Sequence, residues 1–135
     1  MLDRIDIQIE LPSLSYDELA SRGGSTETSA QIRARVSAAR EFMRGRLKKE
    51  GLSGLGIFST AQLDAAGIRK TCHPTDDAVE LLRMAYDRLG LSARGYDRVM
   101  RMARTIADLA ASEKIEAEHI AEAITLRSLD KKYWG

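Results

Sequence analysis

Four arginines recur between Ser92 and Ala110, at Arg94, Arg98, Arg101 and Arg104. At ~100° per residue, Arg94, Arg98 and Arg101 share one helical face and Arg104 lies to its side. Guanidinium groups set this close repel one another unless something negative lies across them. Their planar fork suits a phosphate or a carboxylate. Asp97 and Asp108 border the stripe and can neutralise part of it. For Arg98 and Arg104 the ordinary reading is a solvated, charged face of a core helix. Arg94 differs, because it falls in the first turn after a Gly-Leu-Ser connection and can reach out of its own domain towards a ligand at a domain junction. Of the 21 basic residues in the chain 15 are Arg, which fits such pairing and fits a GC-rich coding sequence equally.

Other chemistry is excluded by what is missing. The sequence has no G-x-x-x-x-G-K-[ST] phosphate loop: Gly51 to Gly56 lacks the lysine and a flanking buried strand. No apolar strand ends in paired acids that could hold magnesium. Cys72 is the single cysteine, so no internal disulfide forms, and with only His73 and His119 beside it a closed metal site lacks ligands. No Ser/His/Asp or Cys/His set is plausibly placed, so Cys72 reads as a buried thiol and the histidines as structural or exposed. A net charge of +1 gives no field for nonspecific binding to nucleic acid or anionic lipid. Without a signal peptide or a membrane-length apolar run, and with one cysteine, the expected location is the cytoplasm.

Hydrophobic residues at 44%, few aromatics and abundant Ala, Leu, Arg and Glu predict a mainly helical domain with a real core. Residues 4–11 are the exception: Ile5, Ile7, Ile9 and Leu11 alternate as in a strand. No second segment reads as its partner, so this strand is an orphan whose sheet lies in a second copy or in other sequence. Pro12 ends it, and Ser15 caps a short helical turn. A small polar loop, Ser21 to Thr26, leads to a long helix starting near Thr28, with Gln31 placed as in a capping box. That helix carries Ile32, Val36, Ala39, Phe42, Met43 and Leu47 at helical spacing.

Beyond the Gly51–Gly56 break, a short helix is expected from Ser59 to Ala66, stopped by Gly67. Thr75 opens the next helix, with apolar contacts from Val79, Leu82, Met84, Ala85 and Leu89, and Gly90 closes it. Ser92 caps the arginine-bearing helix, whose apolar face is Tyr96, Val99, Met100, Ala103, Ile106, Ala107 and Ala110. A last helix begins near Glu116, and the tail ends in Tyr133-Trp134, apolar enough to dock.

These motifs resemble those of magnesium-chelatase-like AAA+ ATPases. Met1-Leu-Asp-Arg-Ile-Asp-Ile is similar to the box that follows sensor 1, and Gly90-Leu-Ser-Ala-Arg-Gly-Tyr-Asp-Arg-Val-Met-Arg-Met-Ala-Arg-Thr-Ile-Ala-Asp-Leu resembles the sensor 2 helix. The closing Ile115-Glu-Ala-Glu-His-Ile-Ala-Glu-Ala-Ile and Arg127-Ser-Leu-Asp-Lys-Lys-Tyr-Trp are similar to the ComM/YifB branch.

The resemblance implies a helical lid bundle (residues 15–135) preceded by the last strand of an α/β core (residues 1–14). It implies that Arg4 acts in trans, as a finger on the neighbouring subunit's γ-phosphate, and that Arg94 contacts the phosphate in cis. ATP and magnesium would belong to a full-length parent, with neither expected on this segment alone. The partners implied are the missing AAA+ core, copies forming a homo-oligomeric ring such as a hexamer, and DNA. Walker A, Walker B and sensor 1 are not in this sequence, so the segment by itself is not expected to be an enzyme. Two other readings stand beside it: the lid of a true magnesium chelatase motor, and a free helical nucleic-acid module using Arg94, Arg98 and Arg101. Near-neutral charge and sparse aromatics count against the last.

Overall fold

Side-chain caps start the helices close to where the sequence places them. The computed structural model of the chain describes residues 4–21 and 26–127. Helix α1 is Tyr16–Ala20, where Ser15 and Glu18 close a capping box. Helix α2, Ser29–Lys49, opens on the Thr28/Gln31 capping box that the sequence predicts. Asp64 caps α3 (Ala65–Thr71), Thr75 caps α4 (Asp76–Leu89) and Ser92 caps α5 (Ala93–Leu109). Each cap oxygen accepts an N–H that would otherwise lack a partner. Helix α6 is Ala117–Thr125, and its first turn is closed by a ring: the Glu116 N–H donates to His119 Nδ1 at 3.0 Å. That bond places the ring proton on Nε2 and makes His119 structural, as the sequence suggests.

Helix α5 is the centre of the bundle, packed against α6, α2 and α3, while α4 packs against α6. Ala78, Ala103, Ala107 and Ala123 are fully buried at the crossings, where small side chains let backbones approach. Leu63, Ile68, Leu82, Val99, Ile115 and Ile120 fill the space around them. The loops before α4 and before α6 are tied together: the Thr75 N–H donates to the Ile115 carbonyl at 2.9 Å, and the Ile115 N–H to that of His73 at 3.0 Å. Gly90 turns the chain from α4 to α5 with φ 62° and ψ 42°, a left-handed cap that favours glycine. Among the described residues no helix is long and apolar enough to cross a membrane.

Several expectations are corrected. Residues 4–14 form no strand, because among the described residues no partner strand exists to take a ladder. Ile5, Ile7, Ile9 and Leu11 all face outward, and the residue that is buried is Gln8, on the opposite side of the alternation. The segment expected as one helix from Ser59 to Ala66 holds a 3-10 turn, Thr60–Gln62, and the first two residues of α3. Gly67 does not stop α3: its N–H donates to Asp64 Oδ1 at 2.7 Å inside the first turn. A Cβ there would come within 3.1 Å of Leu63 Cδ2. Val79, Met84 and Leu89 are exposed on α4, whose buried residues are Ala78, Leu82 and Ala85, and Tyr96 is exposed on α5. The Tyr133-Trp134 tail and most of the Ser21–Thr26 loop lie outside the described residues.

Candidate functional site at the start of α5

The turn at Gly90 and the Ser92 cap aim the first turn of α5 outward, with Ser92 Oγ accepting the Gly95 N–H at 3.0 Å. Arg94 sits in that turn and is exposed. A guanidinium at the positive end of a helix favours an anionic group.

Further along α5 the arginines turn inward, against the expectation of a solvated face. Arg98 Nη1 pairs with Asp6 Oδ1 at 2.9 Å, and its side chain is only 15% exposed. Arg101 Nε donates to the Leu63 carbonyl at 2.9 Å. Arg104 is 0% exposed and reaches Asp108 Oδ1, one turn on, at 3.1 Å. From the other side Arg46 of α2 grips the same carboxylate with both arms, Nε to Oδ1 and Nη2 to Oδ2, each at 3.1 Å.

Two guanidiniums thus share one buried carboxylate, and backbone carbonyls supply the rest of the negative potential. Arg46 also donates to the Thr71 carbonyl at the end of α3, and Arg104 to the Ser112 and Glu113 carbonyls just beyond α5. The Thr71 carbonyl is at a helix end, where cations are favoured, and the other two belong to the loop after α5. Burial pulls the Arg104 guanidinium below its ordinary value while Asp108 opposes that shift, and an arginine stays charged regardless. Cys72 is buried beside this cluster, and burial pushes its thiol up, away from the reactive thiolate. This agrees with its reading as a buried thiol.

The segment that carries Arg4 lies against the same helix. Asp6 holds Arg98, Arg127 donates to the Ile5 carbonyl at 3.0 Å, and the Gln8 N–H donates to the Leu126 carbonyl at 2.7 Å. Arg4 itself is exposed. The two arginine-bearing segments therefore meet, through Asp6 and Arg98.

Residues 26–127 match the family described as magnesium chelatase, subunit ChlI C-terminal. The chain belongs to this family. The match takes in α2 to α6, with Arg94 and the Arg46–Asp108–Arg104 cluster, and leaves Arg4 outside. Among curated proteins, the chain is 37% identical over 95% of its length to the competence protein ComM of Haemophilus influenzae. It is 33% identical over 96% of its length to the uncharacterized protein YifB of Salmonella typhimurium. An uncharacterized protein of Mycobacterium bovis is 32% identical over 94% of the chain. The chain spans about a quarter of the length of these relatives, between 23% and 24%. It is thus similar to one segment of larger ComM- and YifB-type proteins.

Asp6, Arg46 and Arg127 are the contacts that sequence reasoning missed. A signal existed for Arg46, which stands between Met43 and Leu47 on the apolar stripe of α2, where a charge needs a buried partner. The i, i+4 spacing of Arg104 and Asp108 marked the other half. Nothing local marked Asp6 or Arg127, whose partners lie at the far end of the chain.

Proposed function

We propose that the chain is the C-terminal lid of a ComM-like, magnesium-chelatase-related AAA+ ATPase, placing Arg94 on a nucleotide phosphate bound between lid and core. The observation that carries this reading is the contrast along α5: Arg94 is exposed in the first turn, while the rest of the helix is pinned by Arg98, Arg101 and Arg104. A helix anchored in this way holds its leading guanidinium in a defined place, which is what stabilising a phosphoryl group requires. The fit is partial, since Arg94 supplies one contact and the phosphate loop must come from other polypeptide. Bound ATP with magnesium would supply the transferable γ-phosphoryl group. Arg4, exposed on the clamped N-terminal segment, is assigned the trans role towards a neighbouring subunit of a ring. Action on DNA belongs to the same proposal, through the whole protein rather than through this domain.

In a full-length parent, Arg94→Ala is expected to lower ATP hydrolysis roughly 100-fold. The melting temperature should stay unchanged, because an exposed substitution costs no more than about 0.5 kcal/mol. Wild-type hydrolysis by that variant would reject the assignment. A free nucleic-acid-binding module is disfavoured, since Arg98 and Arg101 are committed to Asp6 and to the Leu63 carbonyl.

A further inference from the structure

The apolar stripe of α2 runs the whole length of the helix, but only its second half is covered. Met43 and Leu47 are buried, whereas Ile32 and Val36, two turns earlier on the same stripe, are 44% and 41% exposed. Around them lies a shallow, open groove whose described lining, Ser29, Ile32, Arg33, Val36, Ser37 and Arg40, all belongs to α2. Residues 29–40 contain three arginines and no acid. Arg35 pairs with Glu27 at 2.8 Å, while Arg33 and Arg40, which flank the groove, make no ion pair among the described residues.

The complementary surface is in the same sequence. Residues 14–20, which include α1, carry Asp17 and Glu18 and no base. Leu14, Tyr16 and Leu19 there are exposed, and α1 buries none of its residues. One copy thus displays an acidic apolar segment and a basic apolar groove, and covers neither.

We propose that α1 of one copy docks in the α2 groove of a second copy. Leu14, Tyr16 and Leu19 then cover Ile32 and Val36, and Asp17 and Glu18 face Arg33 and Arg40. Donor and acceptor on one molecule allow either reciprocal exchange in a pair or head-to-tail growth towards a ring. Segments this short bury less than a standard interface, so the isolated chain associates weakly, with a dissociation constant on the order of 100 μM. The inference does not depend on Arg94 meeting a phosphate.

Sedimentation equilibrium of the 135-residue chain, loaded across that concentration range, tests it. The mass should rise above the 15.0 kDa monomer. Arg33→Glu with Arg40→Glu, and separately Asp17→Lys with Glu18→Lys, should each weaken association by about tenfold or more. An equimolar mixture of the two double variants should recover it, because both contacts in a mixed pair are again complementary. All four positions are exposed, but Glu18 also closes the α1 capping box. Asp17→Lys with Glu18→Gln, which keeps the box, should weaken association as well, and circular dichroism verifies that the variants keep their helices. The proposal is overturned by a wild-type chain that stays monomeric, by association indifferent to the four substitutions, or by a mixture that associates no better than its components. The last result would also place any α1–α2 contact within one copy.

Discussion

Arg46 and Arg33 belong to one helix and flank one apolar stripe, yet they occupy opposite environments. Arg46 is 6% exposed and held by both oxygens of Asp108 and by the Thr71 carbonyl. Arg33 borders an open groove. The stripe does not cause the difference, because aliphatic side chains occupy it in both halves. α5 and the end of α3 cross the second half and bring a carboxylate and a carbonyl; among the described residues nothing crosses the first. An arginine beside exposed aliphatic side chains then marks a place where an acidic partner fits, and the buried half shows what such a fit looks like.

The strongest way to break the comparison is to remove the carboxylate. Asp108→Ala should cost about 3–5 kcal/mol, because two guanidiniums remain buried with only carbonyl dipoles to satisfy them. Denaturant unfolding measures the loss, and modification of Cys72 by a thiol reagent, slow in the native core, should accelerate with it. A loss below about 1 kcal/mol would mean that the cluster is not the anchor of α5.

Asp6→Ala should act locally and more weakly. Its pair with Arg98 is partly exposed, so a loss of about 0.5–1 kcal/mol is expected. The readout is hydrogen exchange at the Gln8 amide, which should quicken as the N-terminal segment lifts while amides of α5 and α6 stay protected. Unchanged exchange at Gln8 would show that Arg127 and Leu126 hold the segment without Asp6.

The smallest effect sharpens the exposed side. Lys49 and Glu113 pair at 2.6 Å on the surface. The bond to Lys49 lowers the Glu113 carboxyl from its ordinary 4.5, so its contribution is present above 4.5 and lost as pH falls through the folded value. The bond to Glu113 raises Lys49 from its ordinary 10.5, so that contribution holds below 10.5 and is lost as pH rises through the folded value. Between those limits the tie should be insensitive to pH and weakened by salt. NMR titration of the two side chains checks both shifts, and a Glu113 that titrates at its ordinary value would remove the tie.

How much of this was legible depended on the range of each interaction. The Thr28/Gln31 box, the Thr75 and Ser92 caps and the Gly90 stop involve residues a few positions apart, so local sequence defined them. The start of α6 near Glu116 was equally readable. The 4–11 alternation misled because period two describes what a strand needs without supplying a partner. The solvated reading of Arg104 failed because its ligands, Asp108 aside, are loop carbonyls that carry no sequence signature.

The amino-acid sequence by itself determined helix positions, the poverty of catalytic groups, the family resemblance and the choice of Arg94 and Arg4 as residues worth testing. Each follows from periodicity, capping chemistry or motif, which are properties of neighbouring residues. Only the tertiary structure decided which arginines are structural. It buried Arg46 and Arg104 against Asp108, turned Arg98 to Asp6 and left Arg94 exposed at the head of the helix. The physical reason is that a guanidinium can be desolvated only where several distant acceptors converge on it, and such convergence exists only in the folded chain.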